Sequence, residues 1–142
     1  LDMNTVEPAI GAQRMDKVYA WKSMLDMGIH TSGGSDAPVV SFDAMENIYF
    51  AVTRKNISGQ PQEGWIPSEK ISVDEAVKLF TKNAAYASYT EDENGTIEVG
   101  KNADFVVLEK NIYEIDPDEI KATKVDMTVL GGEIVYERKV EE

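Results

Sequence analysis

Gly95-Thr96-Ile97-Glu98-Val99-Gly100-Lys101-Asn102-Ala103-Asp104-Phe105-Val106-Val107-Leu108 is the stretch on which the reading of this fold turns. Its first ten residues are rich in turn formers, with only short β-like pieces between them. Its last four are an unbroken apolar run, which reads as a buried strand. Further on, Val125, Met127 and Val129 alternate with polar residues, and Gly131-Gly132 leads into Ile134-Val135-Tyr136. A two-glycine link between such runs signals a hairpin, because both turn positions can take positive φ. Asp116-Pro117 opens a further turn or short helix. The charged tail, 137–142, is expected to fray. From about residue 95 the chain is therefore β with tight turns.

Upstream the texture is different. Residues 15–27 carry a helical pattern, with Met15, Val18, Tyr19, Trp21 and Leu25 near one face, and Gly28 ends it. Residues 29–32 are a short strand-like run, so helix, glycine and strand read as half of a βα repeat. A second helix is predicted over 42–55, where Met45, Ile48, Tyr49 and Val52 keep helical spacing. Residues 56–70, with Gly59, Pro61, Gly64 and Pro67, form a loop. Trp65 within it either packs over a pocket or, the commoner case, anchors the loop to the body. Ser72 and Glu75 make a capping box. The helix it opens, running to about residue 88, puts Val73, Ala76, Val77, Phe80, Ala84 and Ala87 on one face.

The totals set limits. A chain of 142 residues is one domain by size, and 42% hydrophobic with 28% charged residues is an ordinary globular balance. A net charge of −12 argues against nucleic acid and anionic membranes as partners. With no cysteine there is no disulfide, thiolate metal site or cysteine nucleophile, and the composition fits the cytoplasm. No apolar run approaches the roughly 18 residues of a membrane span. Glu91, Asp92 and Glu93 form a small acidic cluster that reads as a solvated turn.

The candidate for chemistry lies in GGSDAPV, residues 33–39. Asp36 sits where the strand-like run ends, behind two glycines and before a proline. Two readings stand open. Asp is a favoured N-cap, with proline common at a helix start. A carboxylate at a strand end can also serve as an acid, a base or a metal ligand.

GSDAP (34–38), AVTR (51–54), SVDEAVKLFTKNAAYA (72–87), GTIEVGKNADFVVLEKN (95–111) and the GGEIVYE hairpin together resemble the C-terminal part of a metal-dependent amidohydrolase. The subgroup they resemble includes N-substituted formamide deformylase. The match runs from about residue 14 to 136, with Ala84 where relatives often carry proline. This resemblance implies α/β plus β architecture: the C-terminal piece of a (β/α)₈ barrel over 1–90, then the C-terminal part of a composite β-sandwich over 91–142. It implies that 29–32 is the last barrel strand and that Asp36 stands at its C-terminal end, where barrel active sites lie. There Asp36 would be both a metal-site residue and the proton carrier for a metal-bound water. The implied cofactor is a divalent metal, zinc first, and the implied reaction is hydrolysis of a non-peptide C–N bond in a small-molecule amide or cyclic amide. Gly33 and Gly34 would let the backbone approach the site. The family's metal histidines lie on earlier strands, so His30 is read as structural.

One histidine and no cysteine cannot supply the three ligands of a catalytic zinc, and a barrel takes about 200 residues. The chain, which opens on Leu1, is therefore expected to be an inactive piece of a longer hydrolase. It is also expected to pair with itself through faces its parent would cover, and a homo-oligomeric parent is a further expectation. The rival expectation is a non-catalytic assembly or ligand-binding module with Asp36 as a helix cap.

Overall fold

The computed structural model describes residues 3–139. Its elements are α1 (Met3–Ile10), α2 (Trp21–Asp26), α3 (Ala44–Thr53), α4 (Val73–Leu79), α5 (Lys82–Ala87), β1 (Phe105–Leu108), β2 (Val125–Leu130) and β3 (Glu133–Glu137). Short 3₁₀ segments occupy Ala12–Lys17, Pro67–Glu69 and Pro117–Ala122.

The core is built on α3. Met45, Ile48, Tyr49, Ala51 and Val52 are buried there against Ile71, Ala76 and Leu79. Ile112 and Ile120 join the same cluster from the β-rich half, so the two textures of the sequence share one apolar centre. Two cation contacts tie the 3₁₀ segment at Pro117–Ala122 to α3 and the residues just after it: Lys55 pairs with Asp118 at 2.7 Å, and the Lys121 ammonium lies 4.6 Å from the Tyr49 ring centroid. Asp116 caps that segment by accepting from the Asp118 amide at 2.8 Å.

Ser72 and Glu75 form the predicted capping box in full. Gly28, at φ 74, closes α2 in a Schellman arrangement. Its amide reaches the Leu25 carbonyl at 2.9 Å, and the Ile29 amide reaches that of Met24 at 3.0 Å. Trp65 anchors its loop: its amide donates to the Arg54 carbonyl at 2.7 Å, and its own carbonyl accepts from Arg54 Nε at 2.9 Å. Gly64 beside it is obligatory, since a Cβ there would lie 2.4 Å from the Thr53 carbonyl oxygen.

Four expectations need correction. The helix predicted over 15–27 is broken at 18–20, because Tyr19 turns to φ 47 and joins the Trp21 and Trp65 rings. The helix predicted over 72–88 is two helices, α4 and α5, with the break at Phe80 and Thr81. Residues 29–32 form no strand, for no described strand lies alongside to complete a ladder. The run 105–108 does form β1, but β1 is an edge strand on which Val106 and Val107 are 50% and 42% exposed, while Leu108 packs on the core.

That sheet has the order β1-β2-β3, all antiparallel, with Phe105 opposite Val129 and Val107 opposite Met127. Gly131 and Gly132 make the β2–β3 turn at φ 59 and 84, as the sequence predicts. The GKNAD stretch holds this turn from below. Asp104 Oδ1 accepts from the Gly131 amide at 2.6 Å, and the Ala103 carbonyl accepts from the Gly132 amide at 3.1 Å. Part of the tail expected to fray is ordered: Glu137 ends β3, and Arg138 pairs with Asp126 at 2.6 Å and Glu109 at 3.0 Å. Residues 140–142 of that tail lie outside the described residues.

Candidate active site

The segment that carries Asp36 is fastened on both sides. Upstream, the Gly33 amide donates to the Leu79 carbonyl at 2.9 Å, and Asn83 Nδ2 donates to the Thr31 carbonyl at 2.9 Å. His30 stacks on Tyr86, centroids 4.2 Å apart, which fits its reading as a structural residue. Downstream, buried Asn47 donates to the carbonyls of Ser41 at 2.8 Å and Asp43 at 2.7 Å. Between these anchors the chain turns, and the Val39 amide closes on the Asp36 carbonyl at 2.9 Å.

Asp36 itself is exposed and takes φ 50, a left-handed conformation that Asp tolerates better than most residues. It caps no helix. The N-cap of α3 is Asp43, whose Oδ1 accepts from the Met45 amide at 2.8 Å. The cap reading of Asp36 is therefore corrected, and its carboxylate is left facing an open cleft.

That cleft has a volume of about 530 Å³ and is lined by residues 31–36 together with Tyr19, Trp21, Phe50 and Phe80. Its floor is largely aromatic and its polar lip is the Asp36 segment. Of the two glycines expected to admit close approach, Gly33 does so, but toward a side chain. A Cβ there would lie 2.8 Å from the Phe80 ring. Gly34 has open space around it.

Behind the aromatic wall lies a residue that sequence reasoning did not single out. Arg54 is fully buried at φ 59. Its guanidinium carbon sits 4.7 Å from the Trp21 centroid and 5.5 Å from that of Trp65, and Nη1 donates to the Tyr19 carbonyl at 3.0 Å. Burial pushes its pKa down, with Glu69 and Tyr19 working the other way. Glu69 is buried too, and accepts from the Ser23 amide at 3.0 Å and from the Ser23 hydroxyl. Burial pushes the Glu69 carboxyl up, but the bonds from Ser23, the Lys22 amide and the Arg54 charge together hold it below the usual carboxylate value. Arg54 thus fixes where Tyr19 and Trp21 stand at the cleft. Its signal in the sequence was the AVTR run, which marks a helix end without saying that the arginine turns inward.

The residues present do not fit a complete metal site. Among those described, no group of three His, Cys, Asp or Glu side chains converges on one point. Asp36 is a single carboxylate, His30 is engaged with Tyr86, and Glu91 turns its backbone carbonyl to Lys101. No helix among the described residues is long and apolar enough to cross a membrane.

The structure thus places Asp36 on a polar lip over an aromatic cleft, carried on the segment leading into α3. Residues 2–136 match the amidohydrolase family (Amidohydro_3), and the chain belongs to that family. A Bacillus subtilis protein named as an amidohydrolase, YtcJ, is 38% identical over 137 residues, covering 96% of this chain and 26% of that protein. N-substituted formamide deformylase of Arthrobacter pascens is 35% identical over 122 residues, covering 86% of this chain and 22% of that enzyme. The crystal structure of an amidohydrolase from Thermotoga maritima MSB8 superposes with a TM-score of 0.63 at 21% identity, over 84% of this chain and 26% of that one. The fold is thus that of part of an amidohydrolase. The chain spans about a quarter of the length of the curated relatives it matches.

Proposed function

We propose that this chain contributes Asp36 to the active site of a metal-dependent hydrolase that cleaves non-peptide C–N bonds in small amides or cyclic amides. The observation that carries the reading is the placement of Asp36. Its carboxylate stands at the lip of the cleft, free of capping duty, on a segment fastened at both ends. Asp36 takes a proton from the attacking water as oxygen bonds to the carbonyl carbon, and hands it to the nitrogen as the C–N bond breaks. A divalent metal, zinc by family resemblance, lowers the pKa of a bound water when present. Asp36 is the one ligand assigned to it here, and the others belong to chain beyond these 142 residues. The relatives' greater length supports that division.

In the same proposal, residues 1–90 close a barrel and 91–142 supply part of a composite β-sandwich, whose second layer would cover the exposed outer strands of the β1-β2-β3 sheet. The protein is assigned to the cytoplasm, in keeping with its lack of cysteine. Isolated, the chain is inactive and self-associates.

The test is turnover of a panel of N-substituted formamides and cyclic amides by the full-length protein and its Asp36→Asn variant. A loss of kcat of about a hundredfold or more is expected, the scale of a general base. Turnover within twofold of the parent would refute the role of Asp36.

A further inference from the structure

The helix break at Phe80 and Thr81 lies against the segment that carries Asp36. We propose that Asn83 is a positioning residue for Asp36, working through the joint between α4 and α5. The inference rests on the proposed role of Asp36 and says what holds that carboxylate in place.

An unbroken helix over 72–88 would keep its carbonyls for its own amides. The break leaves the final carbonyls of α4 without helical partners, and that of Leu79 accepts from the Gly33 amide at 2.9 Å. One turn later Asn83, at the second position of α5, spends its side-chain amide on the Thr31 carbonyl at 2.9 Å. Phe80, at the break itself, fills the space a Gly33 side chain would need, its ring 2.8 Å from that position. Three neighbouring groups of the joint thus grip residues 31–33, three to five positions before Asp36. Beyond the grip, the chain to Ser41 is exposed or half-buried, so these contacts and Asn47 set the direction in which Asp36 leaves the scaffold.

A carboxylate that must reach a water and then a nitrogen loses rate steeply when it is misplaced, roughly a hundredfold for an ångström. Asn83 touches neither substrate nor metal in this account. Its removal should therefore lower kcat with little effect on KM.

The test is the Asn83→Asp variant of the full-length protein. The substitution keeps the shape, removes the donor and suits the first turn of a helix, so it preserves the fold. Kinetics on the amide that the full-length protein turns over are measured beside Asp36→Asn. Amide hydrogen exchange is followed in the same variant at Gly33 and, as a control, at Ile48 in the core. The expected result is a fall in kcat of about tenfold to a hundredfold, KM within about twofold, and faster exchange at Gly33 with Ile48 unchanged. A kcat within twofold of the parent, while Asp36→Asn is inactive, overturns the positioning role and leaves the proposed function standing. Faster exchange at Gly33 and Ile48 alike also overturns it, because Asn83 would then only stabilise the fold. Full turnover by Asp36→Asn overturns both proposals at once.

Discussion

Glu69 shows how a residue with no part in catalysis sets up the cleft. Its carboxylate is buried beneath Arg54 and ties down the start of α2 through Ser23. Because its folded pKa lies below the ordinary 4.5, its contribution to stability is complete above that value and is lost as pH falls through the folded one. Glu69→Gln should lower stability at neutral pH by about 2 kcal/mol, the loss of a charge-assisted bond. The gap between variant and parent should then close on acidification below pH 4.5. Urea unfolding across that range checks this, and a gap that stays constant would contradict it. None of this was legible in the sequence. Glu69 stands in a loop rich in glycine and proline, and pattern reading gives no reason to bury a carboxylate there. Asp36 could be read as a site candidate because its neighbours punctuate the chain so strongly. Its rival role was settled by a residue seven positions on, Asp43, which holds the cap instead.

Elements that depend on local chemistry were readable, and those that depend on distant partners were not. The capping box at Ser72 and Glu75 and the glycine turn at 131–132 are written in adjacent residues, and both stand as predicted. The break between α4 and α5 was invisible because the apolar positions on either side keep one helical period. The compensating contacts, Gly33 and Thr31, lie some fifty residues away. The GTIEVGKNAD stretch falls between these cases. Its turns were legible, but the reason for its lysine was not. Lys101 Nζ, on a side chain only 17% exposed, donates to the Glu91 carbonyl and Thr96 Oγ1, both at 2.7 Å, and lies 3.3 Å from Glu98. It knots the whole turn around one ammonium. Lys101→Met leaves those acceptors unpaired and should cost about 1–3 kcal/mol, read as a lower urea midpoint at unchanged slope. A midpoint equal to the parent's would show that the knot adds nothing.

At the scale of the whole molecule, the chain has one core and one sheet whose outer strands are largely exposed. Ile134 and Val135 on β3 are each 58% exposed, and Val106 on β1 is 50% exposed, while Val129 on the central strand β2 is buried. Exposed apolar residues on the outer strands favour a covering layer. We expect the 142-residue chain alone to form a dimer at micromolar concentration by sedimentation velocity, and a compact monomer there would contradict this. The sequence carried the family through motif spacing. It could not show that Ile112 and Ile120 of the β-rich half complete the helical core, since burial depends on which surfaces meet.

The central claim is that this chain holds one carboxylate of a metal site whose remaining ligands lie elsewhere in a longer protein. Metal content after dialysis, measured side by side for the 142-residue chain and the full-length protein, tests it most directly. The account predicts stoichiometric divalent metal in the full-length protein and none in the chain alone. A stoichiometric ion retained by the chain alone, or none in either, would contradict it.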